Sequence, residues 1–126
     1  SEKVYYLQIF ENKKINSEKK WQDYRILVCN NKIISSMVRK NKKKITNISQ
    51  GGKPFNFKPN KKIKKISINA SKLVNADYAG IDIIEDNKNN YKVIEINSVP
   101  AWKALQKITK KSIALILAKA FIKKLK

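Results

Sequence analysis

Two alternating runs of residues constrain the fold of this chain more than any other feature. They are "YAGIDII" at 78–84 and "YKVIEIN" at 91–97, separated by "EDNKNN" at 85–90. Alternating β-branched and polar residues predict strands, and the polar stretch between them predicts a hairpin connection. We predict that Glu85 pairs with Lys92 beside the turn, which sets the register of the two strands.

This register determines which side chains share a face of the hairpin. It places Asp82 directly across from Glu95, and Gly80 across from Asn97, with isoleucines on the opposite face. Gly80 would leave room above the amide of Asn97. A slip of one residue would set Asp82 beside Ile94 and mix acids into the apolar face, so the isoleucine pattern selects the first register.

Two carboxylates across a sheet repel each other, so positive charge must compensate them. One alternative is structural: a nearby Lys or Arg pairs with each acid, and Asn97 caps a turn. The other is a divalent cation shared by Asp82, Glu95 and Asn97. The chain has no histidine and only one cysteine, so it excludes Ser-His and Cys-His catalysis and an intrachain disulfide. Oxygen ligands indicate Mg²⁺ or Mn²⁺.

The remaining patterns predict an α+β fold. We expect a mainly antiparallel sheet with the helices packed on one face. The predicted strands are 4–10, 24–30, 32–40, 78–84 and 91–97, with a hairpin turn at "NNK". Helical spacing covers "KKIKKISINASKLVNAD" at 61–77 and the segment 112–126, and a long loop is expected over 41–62.

The charge of the chain is strongly positive. Its 29 Lys and Arg residues against 9 Asp and Glu residues give a net charge of +20. Compositional drift towards Lys, Asn and Ile explains part of it, but the shortage of acids favours an acidic partner. Aromatic residues do not interleave with the basic runs, so nucleic-acid binding ranks second. No apolar run is long enough for a membrane span and no signal core is present, so we expect a cytoplasmic protein.

Five segments resemble one enzyme family, in the correct order along the chain. They are "LQIF", "DYRILVCNNKIISSMVRK", "TNISQGG", "NADYAGIDII" and "VIEINSVPAWKALQKIT". Together they resemble the C-terminal half of an ATP-grasp ligase, with the closest likeness to the RimK-like branch. The resemblance implies that residues 1–126 form the C-terminal lobe of an ATP-grasp domain. The N-terminal and phosphate-lysine subdomains would then precede residue 1.

The resemblance also implies a nucleotide and metal site. Asp82, Glu95 and Asn97 match the residues that hold magnesium ions, two of them, bridging the phosphates of ATP. The segment "LQIF" falls where the hinge strand of the family lines the adenine pocket. The residues implied there are Gln8, Ile9, Phe10 and Glu11, with a place in the ordinary core as an equal alternative for Phe10.

Two arginines stand out against the background of lysine. Arg25 and Arg39 match arginines of the family that meet substrate and phosphates, and they are the catalytic candidates. Planar guanidinium groups suit oxyanions better than lysine does. Arg39 and Asn47 also match nucleotide contacts. Asp23 is expected either to orient Arg25 or to face solvent.

The activity that the resemblance implies is an ATP- and Mg²⁺-dependent carboxylate–amine ligation through an acyl phosphate. The expected partners are ATP, a glutamate-like amino acid and an acidic carboxylate acceptor, and a homo-oligomer stays open. The competing hypothesis is a non-enzymatic basic module that binds RNA or an acidic protein. Two acids on one face favour the ligase, because a nucleic-acid surface gains nothing from them.

Overall fold

The computed structural model describes residues 13–46, 48, 51–98 and 100–125, together with the backbone of 4–6. The elements are β1 (Val4–Tyr6), β2 (Trp21–Cys29), β3 (Lys32–Asn41), β4 (Lys53–Asn56), α1 (Lys61–Leu73), β5 (Tyr78–Glu85), β6 (Tyr91–Asn97), α2 (Lys103–Ile108) and α3 (Ile113–Leu125). None of these helices, within the part of the chain that is described, is both long and apolar enough to cross a bilayer.

The strands form one six-stranded sheet in the order β1-β6-β5-β2-β3-β4. Every neighbouring pair is antiparallel, which confirms the predicted α+β class with an antiparallel sheet. The central strands β5 and β2 are the most deeply buried. Side chains on these two strands are therefore the most completely shielded from solvent in the sheet.

The helices divide between the two faces of the sheet, whereas the sequence pattern placed them on one. Ile26 and Val28 of β2 pack in a core with Ile63 of α1. Leu27, which lies between them and therefore on the opposite face, packs in a second core with Leu105 of α2. Leu117 of α3 belongs to this second core as well. The second core covers only part of its face and leaves room for polar residues beside it.

Two short turns join the paired strands that carry the site. Asn30 and Asn31 both have positive φ, 48° and 63°, and form the two-residue turn between β2 and β3. Asparagine tolerates this conformation better than most residues, which confirms the turn predicted at "NNK". In the other hairpin, the Asp86 carboxylate accepts hydrogen bonds from the backbone of Lys88 and Asn90, at 2.8 and 2.9 Å.

The register of β5 and β6 is confirmed where the acids lie and wrong beside the turn. Asp82 pairs with Glu95, as predicted. A bulge after Asp82 then shifts the pairing, so that Glu85 faces Tyr91 and not Lys92. The extra residue on β6 absorbs the shift, and bulges of this kind leave the pairing on either side intact.

Two elements were missed in the sequence. β4 lies inside the predicted loop over 41–62, and its Pro54 lowered its strand signal. β4 is an edge strand of the sheet, where proline is tolerated because one side of the strand needs no partner. The helix α2 has only 6 residues, too few to show a helical period.

The helix α1 begins and is buried as its sequence predicts. The Asn60 side chain accepts a hydrogen bond from the backbone N–H of Ile63 at 2.9 Å, which is an N-cap. The buried positions Ile63, Ser67 and Ala70 follow the helical spacing of one face. Because α1 covers the face with the isoleucines, the acids on the opposite face are free of it.

Candidate functional site

Charged side chains from four adjacent strands meet on the face of the sheet opposite α1. Arg39 on β3 pairs in register with Asp23 on β2. Arg25 on β2 pairs in register with Asp82 on β5, and Asp82 with Glu95 on β6. Asp23 and Arg25 are two residues apart on β2 and share a face, so they join these two cross-strand sets into one staggered row of alternating charge that ends in two acids.

The Arg39–Asp23 pair is the most buried part of this row. Arg39 Nε and Nη2 donate to Asp23 Oδ1 and Oδ2 at 2.8 and 2.6 Å. The two side chains are 4% and 3% exposed, so the ion pair is almost completely shielded from solvent. Neither alternative for Asp23 is correct, since Asp23 orients Arg39 and not Arg25, and it does not face solvent. Arg39 is thereby held rigidly.

The Arg25–Asp82 pair links this buried pair to the two acids. Arg25 Nε and Nη2 donate to Asp82 Oδ1 and Oδ2 at 2.7 and 2.8 Å. Arg39 Nη2 also reaches Asp82 Oδ2, at 3.2 Å. Arg25 is 18% exposed against 4% for Arg39, so Arg25 is the guanidinium that is more accessible to a ligand. Both predicted catalytic arginines are brought together with Asp82.

The acids Asp82 and Glu95 have opposite pKa shifts. Burial opposes ionisation of Asp82, but the hydrogen bond from Arg25 and the charges of Arg39 and Arg25 outweigh it, and the pKa of Asp82 is lowered. Burial and the negative charge of Asp82 raise the pKa of Glu95. Asp82 therefore stays ionised, and Glu95 is the member of the pair that readily holds the proton.

The same two side chains could hold a hard cation if Arg25, which donates to both oxygens of Asp82, released one of them. The structural alternative explains Asp82, which pairs with arginine, but among the described residues Glu95 forms no ion pair. A carboxylate whose charge is opposed by its neighbour gains from a cation between them. Asn97 lies on the same face, two residues further along β6. The described residues contain no cluster of three or more His, Cys, Asp or Glu side chains, so the amide would have to be a third ligand.

Glycine is required at position 80 for a different reason than the one expected. A Cβ on Gly80 would lie 2.8 Å from Cβ of Pro100, a distance that real Cβ atoms essentially never show. The glycine thus makes room for Pro100, which follows β6, and not for the amide of Asn97 across from it. Close packing at this point fixes the chain just after the predicted metal ligands.

A buried lysine borders the row of charges and was missed in the sequence. Lys13 is 2% exposed, and its Nζ donates to the carbonyl of Lys44 at 2.9 Å and to Thr46 Oγ1 at 3.0 Å. Burial is the largest cause of its lowered pKa of about 8; the negative charge of Asp23 raises this pKa, and the positive charge of Arg39 lowers it further. Nothing in "NKKINSEKK" distinguishes this lysine from its neighbours.

A second positive feature lies beside the β3–β4 edge. A cavity of about 350 Å³ is lined by Lys20, Lys40, Asn41, Lys42, Lys43, Gly51, Lys53 and Phe55. Glu18 pairs with Lys20 and Lys40, each at 3.4 Å, and Lys40 lies over the ring of Phe55. The other three lysines form no ion pair with any described residue. Lysines concentrated around one cavity create a site that attracts anions.

Five of the predicted nucleotide contacts lie outside the described residues. They are Gln8, Ile9, Phe10, Glu11 and Asn47. Their roles stay predictions.

Comparison with known proteins agrees with these motifs. The model of the RimK-like ATP-grasp domain matches residues 6–121. The tetrahydromethanopterin:alpha-L-glutamate ligase of Methanococcus maripaludis is 38% identical over 111 residues, which is 88% of this chain and 37% of that protein. A probable alpha-L-glutamate ligase of Coxiella burnetii is 32% identical over 117 residues, 86% of this chain and 38% of that protein.

The fold is similar to that of solved ATP-grasp ligases. The ATP-grasp ligase PsnB, complexed with a phosphomimetic variant of its minimal precursor, Mg and ADP, superposes with a TM-score of 0.67 at 22% identity. That match covers 83% of this chain and 32% of PsnB. The macrocyclase MdnC from Microcystis aeruginosa MRC, bound with precursor peptide MdnA, gives a TM-score of 0.57 at 20% identity over 79% of this chain and 34% of MdnC.

These matches cover most of this chain but only part of its relatives. The chain spans 37% of the length of the Methanococcus maripaludis ligase. The family match itself extends over nearly the whole chain. The chain belongs to the RimK-like ATP-grasp domain family, as the order of its motifs and the antiparallel sheet both indicate.

Proposed function

We propose that this chain is the C-terminal part of an ATP-grasp domain in a carboxylate–amine ligase. The full-length protein would use ATP and Mg²⁺ to join a glutamate-like amino acid to an acidic acceptor. The observation that carries the proposal is the Asp82–Glu95 pair, two acids facing each other across β5 and β6 with a raised pKa on Glu95. The relatives are named as glutamate ligases, which supports the same activity here.

Asp82, Glu95 and Asn97 would hold the metal. A bound magnesium ion supplies positive charge that neutralises the phosphates of ATP. Glu95 has to be ionised to be a ligand, which its raised pKa opposes, whereas the arginine contacts lower the pKa of Asp82 and favour its ionised form. Before a cation binds, ionisation of Asp82 is therefore favoured over ionisation of Glu95.

The reaction has two steps in this proposal. A carboxylate oxygen of the acceptor attacks the γ-phosphorus of ATP, the bond to the β-phosphate oxygen breaks, and ADP leaves. The amine of the amino acid then attacks the acyl carbon, the carbon–oxygen bond to phosphate breaks, and the amine nitrogen loses a proton. No side-chain nucleophile is required, which suits a chain without histidine.

The two arginines would have different roles. Arg39, fixed by Asp23, offers a positive charge that does not need to reorganise, and preorganised charge is the most effective kind in catalysis. Arg25 shares its partner Asp82 with the predicted cation and is more exposed, so it is the guanidinium that could leave Asp82 for an anionic group of the substrate.

The lysine-lined cavity supports an acidic acceptor. Lys40 follows Arg39 along β3, so the two side chains lie on opposite faces of the sheet. An acceptor bound at both places would have to extend around the β3–β4 edge. The cavity would thus hold acidic residues of a long acceptor, at a distance from its reacting carboxylate.

The test of the proposal is ligation by the full-length protein. The expected result is multiple-turnover ADP formation that requires both an acidic acceptor and glutamate, with a glutamyl residue added to the acceptor by mass spectrometry. Glu95→Gln keeps the size of the side chain and should lower the rate by at least about a hundredfold. Glu85→Gln, at the far end of β5, is the matched control and should leave the rate unchanged. Equal rates in wild type and Glu95→Gln would refute the metal role.

Charge reversal separates the ligase from the RNA-binding alternative. Lys42→Glu with Lys53→Glu should raise the KM for an oligoglutamate acceptor about tenfold and leave the KM for a single-carboxylate acceptor unchanged. Lys62→Glu with Lys65→Glu on exposed positions of α1 makes the same change in net charge and is the control. Steeply salt-dependent RNA binding without nucleotide binding would favour the alternative.

A further inference from the structure

The buried ammonium group of Lys13 joins two segments that are far apart in the sequence. Its Nζ donates to the carbonyl of Lys44 and to the hydroxyl of Thr46, at 2.9 and 3.0 Å. These partners lie 31 and 33 residues further along the chain. Thr46 is itself 2% exposed, so the contact lies inside the protein.

The next residue shows that this burial is specific. Lys14 is 41% exposed on its side chain and donates to Asn89 and Glu85 at the protein surface. Lys13 and Lys14 therefore have the same side chain and adjacent positions but opposite environments. The backbone bridge between Lys13 and Asp86 fixes which of the two faces inward.

Lys13 lies close enough to the row of charges to interact with three of its members. Its ammonium group interacts electrostatically with Asp23, Arg39 and Asp82. The segment that it binds follows β3, the strand that carries Arg39, after two intervening residues. Lys13 thus holds that segment against the side of the site where Arg39 lies.

A neutral side chain would fill the same space at lower cost, because an ammonium group loses its hydration on burial. The segment already has a local contact, from the Asn41 amide to the carbonyl of Ile45 at 2.8 Å. An ammonium group at this buried position makes the two hydrogen bonds to the 44–46 segment stronger and more directional than those of a neutral donor, because they are charge-assisted. A strong contact is needed if the 44–46 segment forms the boundary of a site that binds a polyanion.

We propose that Lys13 is a positioning residue of the nucleotide site, which anchors the 44–46 segment beside Arg39 so that the wall of the site keeps its shape. The inference rests on the proposed function. Lys13 acts through the segment it holds and does not need to touch the nucleotide.

The test compares variants of Lys13 and Lys14 in the full-length protein. Lys13→Met removes the charge and both hydrogen bonds, Lys13→Gln keeps a donor without the charge, and Lys14→Met is the matched control. The dissociation constant of Mg²⁺–ADP and the KM for ATP should rise about tenfold in Lys13→Met. The KM for the acceptor should stay within about twofold, and Lys13→Gln should recover part of the loss.

Hydrogen exchange gives a second measurement that needs no nucleotide. The amides of 44–46 should exchange faster in Lys13→Met than in wild type or Lys14→Met. Thr46→Val should weaken nucleotide binding less than Lys13→Met, and the double variant should be no worse than Lys13→Met alone, because the two residues share one contact.

The outcomes distinguish this inference from the proposed function. A wild-type protein that binds no Mg²⁺–ADP would overturn both. Normal binding by wild type together with unchanged binding or unchanged exchange in Lys13→Met would overturn the inference alone. A uniform loss of ATP affinity, acceptor affinity and folding in Lys13→Met would also contradict it, because a positioning role predicts a selective effect on the nucleotide.

Discussion

Replacing Asp82 with alanine should destabilise the protein far more than replacing Glu95, although both are predicted metal ligands. Asp82 accepts two hydrogen bonds from Arg25 and one contact from Arg39, at 2.7, 2.8 and 3.2 Å. Its removal leaves the Arg39 side chain, only 4% exposed, with Asp23 as its one remaining ion-pair partner among the described residues, and leaves Arg25 without an ion pair there. Breaking a buried ion pair by removing one partner costs about 3–5 kcal/mol, which is a large part of typical domain stability.

Removal of Glu95, in contrast, should cost little stability. It forms no ion pair among the described residues, and its pKa is raised by burial and by Asp82. Glu95→Ala relieves repulsion and should change the free energy of unfolding by less than about 1 kcal/mol. Both variants should nevertheless lose the divalent cation.

Urea unfolding of the full-length protein measures the difference. Tryptophan fluorescence is a suitable signal, because Trp21 begins β2 and Trp102 precedes α2. Mn²⁺ binding, followed by electron paramagnetic resonance, measures the metal in the same samples. Equal destabilisation by Asp82→Ala and Glu95→Ala would refute the asymmetry, and undiminished Mn²⁺ binding by Glu95→Ala would refute its role as a ligand.

Three further predictions concern the same region. Because burial and Asp82 raise the pKa of Glu95, the affinity for Mg²⁺ should increase as the pH rises through that pKa, and Mg²⁺ binding should release a proton. Calorimetry in buffers of different ionisation enthalpy detects the proton. Binding without proton release would contradict this prediction. Gly80→Ala should cost about 1–3 kcal/mol in thermal unfolding, since its Cβ would lie 2.8 Å from Pro100, and Pro100→Gly should recover part of the loss. Burial lowers the pKa of Lys13 from 10.5 to about 8, so the unfolded chain binds more protons between these pH values and stability should rise there with pH. Lys13→Met should lack that rise, and parallel stability profiles of the two proteins would be the contrary result.

The pairing of Asp82 with Glu95 could be predicted because isoleucine alternates with polar residues on both strands. Only one register keeps Ile81 beside Ile96 and the acids together, and the structure has that register. The bulge after Asp82 has no comparable signal, because either register near the turn leaves acceptable side chains on both faces. The pairing of Glu85 was therefore wrong although the pairing of the acids was right.

The contact between Asp23 and Arg39 could not be predicted for a related reason. The turn at Asn30 and Asn31 pairs Cys29 with Lys32, and this register continued along β2 would place Asp23 across from Val38. A bulge between Leu27 and Val28 shifts the pairing by one residue and brings Asp23 opposite Arg39. The residues around Leu27 and Val28 include no glycine that would mark a bulge at this place.

The burial of Lys13 could not be predicted from the residues around it in the sequence. The partners that bury it, Lys44 and Thr46, are more than 30 residues away, and its neighbour Lys14 has the same chemistry. No period or motif separates two adjacent lysines, one of which faces inward. Their difference arises from tertiary structure alone.

The most direct test of the central claim is a crystal structure of the full-length protein with ADP and Mn²⁺, with the anomalous signal of manganese recorded. We predict a manganese peak between the carboxylates of Asp82 and Glu95, with Arg25 moved away from Asp82 and Arg39 still held by Asp23. Manganese bound elsewhere, with the Arg25–Asp82 pair intact in the presence of ADP, would contradict the account.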